Sequence, residues 1–167
     1  KKSRTMSARQ SKKIETFKKI IQKGTELFVN PDLEDFSLRF LARELEMNPN
    51  NIYNYVESKR ELWLAIRAEF FRDFSEFLDT IQNQTHENTL ELLLAICAAT
   101  LEYYNADYKR FHMMNLTVAP HSEKVGPIEA NYKPFRLLNK TTEIVDKAIA
   151  TGECLPVNAS MLTYSLW

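Results

Sequence analysis

The stretch FSLRFLARELEMNPNNIYNYVESKREL, Phe36 to Leu62, leaves few folds open to the chain that carries it. Leu38, Leu41, Ala42 and Leu45 recur at i, i+3, i+4 and i+7, the spacing of one apolar helical face. Ser37 is a good N-cap for that helix. Glu46, Met47 and Asn48 break the pattern. Asn48 can cap a second helix, and Pro49 suits its first position, where a missing N–H costs nothing. This second helix is short, running from Pro49 to about Tyr55. Its Ile52 and Val56 lie one turn apart and can pack back on Leu41, Ala42 and Leu45. Ser58-Lys59-Arg60-Glu61 then reads as a capping box that opens a third, long helix. Two short helices joined by a tight turn, with a third following at once, make a helix-turn-helix.

The outward side of the second helix is unusual. Asn48, Asn50, Asn51, Tyr53, Asn54 and Tyr55 present amides and phenols. Asn can pair in bidentate fashion with an adenine edge, and Tyr, Asn and Lys can hold phosphates. A polar helix simply facing water is the bland alternative, and flanking charge weighs against it. The chain carries 22 basic and 22 acidic side chains. Residues 1–60 hold 13 Lys/Arg against 8 Asp/Glu, and residues 61–167 hold 9 against 14. The first 23 residues alone have 9 basic groups (Lys1, Lys2, Arg4, Arg9, Lys12, Lys13, Lys18, Lys19, Lys23) against Glu15. Such a split suits one end that faces nucleic acid and a remainder that does not. Residues 1–10 read as a flexible basic arm, whereas Lys12 to Lys23 fall on a helix.

The rest reads as helices too. Ser58 to about Gln82 carries apolar residues at Leu62, Ile66, Phe70, Phe74, Phe77 and Ile81. After a polar break at Asn83–His86, Thr89–Tyr104 is apolar nearly all round, as a central buried helix would be. A short segment spans Tyr108–Leu116. Ile128 to about Ala150 reads as another helix, ended by Gly152, and Asn158 can cap a last one. With 44% hydrophobic residues, 167 residues can bury a sizeable core. The fold expected is all-α: a three-helix DNA-binding head over residues 1–60 and a helical body over 61–167, joined by the long helix. No run approaches the ~20 apolar residues of a membrane span, and no signal peptide is visible, so a cytoplasmic location is expected.

Catalytic readings find little support. His86, His112 and His121 have no metal-ligand spacing with one another or with Cys97 and Cys154. Cys97 sits in the most apolar helix and behaves as a small hydrophobe, while Cys154 falls in a loop where it could be exposed. Glycine is scarce, with 3 in all, and neither a P-loop nor a dinucleotide fingerprint is present. The expectation is no enzyme, no metal and no cofactor.

Taken together, Ser37, the Leu41-Ala42 pair, Pro49, Tyr53 and Ser58-Lys59 followed by Glu61-Leu62 resemble the DNA-binding region of the TetR family of transcriptional regulators. Ile20, Leu27 and Phe28 resemble the apolar face of that family's first helix. The resemblance covers about residues 13–66. Four features depart from it, one being the longer connection Asn30-Pro31-Asp32-Leu33-Glu34-Asp35 in place of the usual Gly after the first helix. Glu46 stands where Gly is usual, so a positive φ there would be strained. Val56 replaces a common aromatic. Gly24 occupies a small-residue position in the first helix, weakening it while permitting close packing.

The resemblance implies a homodimeric regulator, most often a repressor, that binds double-stranded DNA at a palindromic operator and is released by a small-molecule effector of unknown identity. Pro49 to Tyr55 would enter the major groove, with Asn50, Asn51 and Tyr55 near the bases. Tyr53, Lys59 and Ser37 would hold phosphates, helped by Arg39 and the N-terminal lysines. Trp63, Phe71, Tyr108, Met113, Met114 and Phe135 are material for an effector cavity in the body. The preferred lining is Phe74, Tyr103, Tyr104, Phe111, His112, Asn115 and Tyr132. Family dimers pair through their last two helices, and this sequence stops near Trp167, where the first should start, so an incomplete chain is expected. Two other readings stay open from sequence. One is a DNA binder of this type with no effector, controlled by a partner protein. The other is a helical adaptor or enzyme that uses no DNA.

Overall fold

A computed structural model describes residues 7–33, 35–133 and 136–166. Among them the regular structure is entirely helical, as expected. The chain divides into two compact units. One comprises residues up to Arg67 together with Leu116–Tyr132, and the other comprises Ala68–Asn115 with the residues from Lys133 onward.

In the first unit, α1 spans Ala8–Phe28 and α2 spans Leu38–Glu44. The Ser7 side chain accepts the Gln10 N–H while the Gln10 side chain accepts the Ser7 N–H. This box starts the helix at Ala8, so the arm expected over residues 1–10 is helical from that point; Lys1 to Met6 lie outside the described residues. Ile20, Leu27, Leu41 and Ala42 are buried, and Ser37 caps α2 through the Phe40 N–H at 3.1 Å. Gly24 does permit close packing: a Cβ there would sit 3.1 Å from side-chain carbons of Leu62 and Ile66.

The second helix of the motif is a single 3-10 turn, Asn51–Asn54, rather than the α-helix expected over Pro49–Tyr55. The Asn48 side chain accepts the Asn50 N–H at 2.9 Å and its carbonyl accepts the Asn51 N–H at 2.8 Å. This local side-chain-to-backbone turn competes with α-helical bonding, and the Asn-rich segment gives little helical propensity to oppose it. Ile52 and Val56 are still fully buried, as their spacing implied.

Two helices close with the same hydrogen-bond pattern. After α2, Glu46 N–H bonds to Arg43 O (2.9 Å) and Met47 N–H to Ala42 O (2.8 Å). After α7 (Arg136–Ala150), Gly152 N–H bonds to Ile149 O (3.1 Å) and Glu153 N–H to Ala148 O (2.9 Å). Both are Schellman caps, which place the residue after the cap in the left-handed region. Gly152 holds φ +76° there, and Glu46 holds φ +54°. The strain foreseen at Glu46 is therefore real.

In the second unit, α3 (Lys59–Gln82), shared with the first, contributes Phe74 and Leu78 to a core with Ile96 of α4 (Thr89–Ala106). A second core joins Leu93 of α4, Val145 and Ala148 of α7 and Ala159 of α8 (Ala159–Leu166). Asn88 and Asn158 cap α4 and α8. The helix α4 is not buried all round. Leu93, Ile96 and Ala99 are buried, whereas Leu94 and Leu101 are 62% and 66% exposed. Its apolar residues exceed what α3 and α7 can cover. Cys154 is only partly exposed, packing against the second core. The helix expected over 128–150 is broken. The short α6 (Pro127–Ala130) stops at Asn131, whose side chain bonds back to Pro127 O at 2.8 Å, and α7 begins two residues beyond Pro134. Proline cannot continue a helix N-terminal to it; its own placement lies outside the described residues. Between Asp107 and the second unit's boundary, α5 covers Tyr108–Asn115.

Glu46→Gly is expected to stabilise the protein by about 1 kcal/mol, the relief of left-handed strain less the added chain entropy; a lowered melting temperature in thermal unfolding would contradict it. A second expectation concerns Glu153, whose carboxylate is held below its usual range by the Thr151 hydroxyl and by the Leu90 N–H at the start of α4. A depressed carboxylate contributes stability above its unfolded pKa and loses it as pH falls through the folded value. Glu153→Gln should therefore lower the melting temperature at neutral pH, with the difference from the native protein vanishing in acid.

Candidate nucleic-acid interface

The turn Asn51–Asn54 combines a buried underside with an exposed outer side. Ile52 and Val56 are 0% and 1% exposed, while Asn48, Asn50, Asn51, Tyr53 and Asn54 are exposed. Pro49 is half-buried. Tyr55 is also half-buried, contrary to the outward placement expected from helical spacing. Its ring stacks on Phe17 of α1 (centroids 6.4 Å apart, planes 11°), with Lys13 Nζ 6.0 Å from its centroid. The turn is thus clamped from below by aliphatics and at its C-terminal end by an aromatic stack.

Flanking groups add cations and donors. Lys59 Nζ lies 4.5 Å from the Phe36 ring centroid and 5.6 Å from that of Phe28, the two rings meeting edge to face at 4.9 Å. The aromatic pair orients the ammonium by cation–π attraction. The Ser37 oxygen is used in capping α2, which leaves its hydroxyl proton able to donate. Arg39 is exposed two residues further on, and Arg9, Lys12, Lys13, Lys18 and Lys19 are exposed along α1. Lys23 differs from them: it lies 3.2 Å from Glu26 and 3.7 Å from Glu44, and these carboxylates raise its pKa, the hydrogen bond to Glu26 most.

A further element of this unit escaped sequence reasoning. Glu61 is 0% exposed. Its backbone N–H bonds to Ser58 Oγ at 3.1 Å, one half of the expected capping box. Its carboxylate accepts the Glu57 N–H (2.9 Å), one residue before the cap, and the N–H groups of Ile128 (2.7 Å) and Glu129 (3.4 Å). Beside it, Arg60 Nε bonds to Glu129 at 2.7 Å. The loop around α6 is thereby fixed to the first turn of α3, directly after the turn Asn51–Asn54. Gly126 is required, because a Cβ there would run into the Glu61 carboxylate.

The residues expected to line an effector cavity divide between the units. Phe74, Tyr103, Tyr104 and Phe111 gather in the second: ring centroids lie 4.8 Å (Phe74–Tyr103), 5.2 Å (Phe74–Tyr104) and 4.8 Å (Tyr104–Phe111) apart. Burial raises the Tyr103 pKa, with Arg110 opposing. His112 is exposed with its ring 6.2 Å from Tyr108, and Asn115 is exposed and bonded to Phe111 O. Tyr132 belongs to the first unit. Phe135 and the Met114 side chain lie outside the described residues. Burial raises the pKa of the Cys97 thiol, as suits a small hydrophobe. Among the described residues no three His, Cys, Asp or Glu side chains group as metal ligands, and no helix is long and apolar enough to cross a membrane.

No family model matches the chain, and no curated protein matches its sequence. Solved structures do match. A transcriptional regulator of the TetR/AcrR family from Thermobifida fusca superposes with TM-score 0.68 at 21% identity, covering 91% of this chain and 80% of that one. AibR, solved with isovaleryl coenzyme A and operator DNA, gives 0.67 at 18% identity, over 90% and 80% of the two chains. The fatty acid degradation regulator FadR from Bacillus halodurans gives 0.71 at 13% identity, over 98% and 82%. The fold is that of the TetR/AcrR regulators. A TetR-family transcriptional regulator from Syntrophomonas wolfei, described as putative, gives 0.71 at 18% identity, over 92% and 78% of the two chains.

Gly126→Ala should cost about 2 kcal/mol or more, since the displaced Glu61 carboxylate loses its amides in a buried site. In a Glu61→Ala background the same change should cost little, because the coupled partner is already gone. Chemical denaturation of the four proteins of this cycle measures the coupling; additive effects would show that the two residues act independently.

Proposed function

We propose that the protein is a sequence-specific, DNA-binding transcriptional regulator, acting as a homodimeric repressor that a small molecule releases from a palindromic operator. The observation that carries this reading is the exposed amide-and-phenol side of Asn50, Asn51, Tyr53 and Asn54 over the buried Ile52 and Val56. A polar turn held this firmly from beneath suits insertion into a major groove, where Asn50 and Asn51 can meet base edges. Tyr53, Ser37, Arg39 and the ammonium of Lys59 supply phosphate contacts on either side, and Tyr55 positions the turn through Phe17. The exposed lysines of α1 add the non-specific electrostatic part. A protein of similar fold has been solved with both operator DNA and an acyl coenzyme A, which supports pairing a DNA-reading head with a small-molecule site. Two-fold pairing follows from the short reach of one turn: a dimer reads two half-sites about 34–36 Å apart or a multiple of that.

Fragments selected from random DNA by the purified protein provide the test. Lys59→Gln, which keeps the aliphatic stem, should weaken selected and random duplexes alike and reduce the salt slope by about one unit. Asn51→Ala should cost about 1–3 kcal/mol on the selected site and leave random duplexes almost unaffected. Failure of the native protein to bind any duplex at low salt would overturn the reading.

A further inference from the structure

Three side chains of α3, Arg60, Trp63 and Arg67, stand at i, i+3 and i+7 and so share one helical face. The segment Leu116–Tyr132 of the same unit runs along this face. Arg60 fixes it at two points, Glu129 at 2.7 Å and the Pro120 carbonyl at 3.4 Å. Tyr132 follows Glu129 by three residues, its N–H bonded to the Glu129 carbonyl at 3.1 Å. The Arg67 guanidinium lies 4.9 Å from the Trp63 ring centroid.

Two polar atoms in this place are buried and have no hydrogen-bond partner among the described residues: the indole Nε1 of Trp63 and the hydroxyl of Tyr132. Trp63 is only 2% exposed. An unsatisfied buried polar group costs about 1–3 kcal/mol, and native proteins rarely tolerate it without a reason. The chemistry of the set is one-sided. An indole N–H can only donate, a guanidinium can only donate, and a phenol can donate. Two neighbouring carboxylates are committed elsewhere, Glu129 of this segment to Arg60 and Glu61 of α3 to backbone amides, and Glu123 of the segment is exposed. Burial raises the Tyr132 pKa, opposed by the charge of Arg67, so the phenol keeps its proton and the guanidinium lies within electrostatic reach. Trp63 Nε1 and the Tyr132 hydroxyl lack an acceptor, and a negatively charged one gains most beside a guanidinium.

We infer that Trp63 Nε1 and the Tyr132 hydroxyl donate to the carboxylate of a small organic monocarboxylic acid, with Arg67 supplying positive charge and the Trp63 ring an apolar wall for its hydrocarbon part. This rests on the proposed reading of a small-molecule-responsive regulator and assigns the effector's polar group and its place.

The experiment uses the full chain and has two arms. In the ligand-free protein, Tyr132→Phe should leave the melting temperature unchanged or raise it, since it removes an orphaned hydroxyl. A clear fall would mean that protein or water already satisfies the hydroxyl, and would overturn the inference. In a Trp167→Phe background Trp63 becomes the only indole, as the chain has 2 Trp. Its fluorescence is then titrated with hexanoate and benzoate at up to millimolar concentration, and with the corresponding amides. Saturable quenching or shift by at least one acid is expected, with the amide weaker and Tyr132→Phe weakening the acid about tenfold or more. No response to either acid, or equal affinity in Tyr132→Phe, overturns the assignment. Equal binding of acid and amide overturns the choice of a carboxylate. DNA retention is measured on the same samples. An acid that binds without releasing DNA keeps the site and removes the effector reading; DNA binding with no acid response does the reverse.

Discussion

The burial of Ile52 and Val56 is the constraint on which the helix-turn-helix depends. A single 3-10 turn cannot hold itself in water, because nucleating helical structure costs more than one or two hydrogen bonds return. Here the turn Asn51–Asn54 is held by its underside: both aliphatic side chains are essentially inaccessible, contributing about 1.5–3 kcal/mol each. Asn48 closes the turn at one end, and the Tyr55–Phe17 stack closes it at the other. With stability supplied from these three directions, the outer side chains need contribute none. That leaves Asn50, Asn51 and Tyr53 able to serve recognition.

The approach to that turn carries the one non-glycine residue with positive φ among the described residues. Glu46 and Gly152 occupy equivalent places in caps of the same hydrogen-bond pattern, so the geometry is set by the cap and not by the residue. At Gly152 sequence and conformation agree. At Glu46 they conflict, and the conflict is sustained because Met47 N–H must reach Ala42 O for the chain to turn toward Ile52. Tertiary packing overrides local preference at this point, in the direction expected when a buried anchor follows a strained residue within one short turn.

What could be read from the sequence was whatever depends on neighbours within one or two helical turns. The apolar faces around Leu41 and Leu62, the caps at Ser37 and Asn158, the close packing at Gly24 and the strained Glu46 all belong to that range. The same rules misjudged the turn Asn51–Asn54, since the Asx-type turn of Asn48 competes with a helix on nearly equal terms, and they gave Tyr55 an outward direction that a distant Phe17 reverses. Overlooking the effect of Pro134 merged α6 with α7. The larger omission, the attachment of the α6 loop, had no local signature. Glu61 meets Ile128 across 67 positions of sequence, and nothing in periodicity or propensity links a helix-capping carboxylate to a glycine in a remote loop. The aromatic residues chosen for an effector cavity show the same limit: Phe74, Tyr103, Tyr104 and Phe111 do come together, but aromatic spacing gave no means of separating them from Tyr132.

The first unit's buried polar groups are unevenly matched. Its acceptors are provided for, Glu61 by three amides and Glu129 by Arg60. Among the described residues its unpartnered buried groups include the indole of Trp63 and the hydroxyl of Tyr132. Packing alone gives no account of this. Phenylalanine at position 132 would keep the ring and remove the unsatisfied hydroxyl, and an apolar residue at 63 would do the same for the indole nitrogen, each sparing about 1–3 kcal/mol. The helix face that carries them also carries Arg67, whose guanidinium is a donor as well. The indole of Trp63 and the phenol of Tyr132, with Glu61 and Glu129 already engaged, suit an acceptor from outside the chain, and the charge of Arg67 favours an anion over a neutral one. The same segment is tied through Gly126 and Glu61 to the first turn of α3, immediately after the 3-10 turn. An acceptor seated against Trp63 and Tyr132 would therefore act on a loop whose other end already holds the start of the helix that follows the turn Asn51–Asn54.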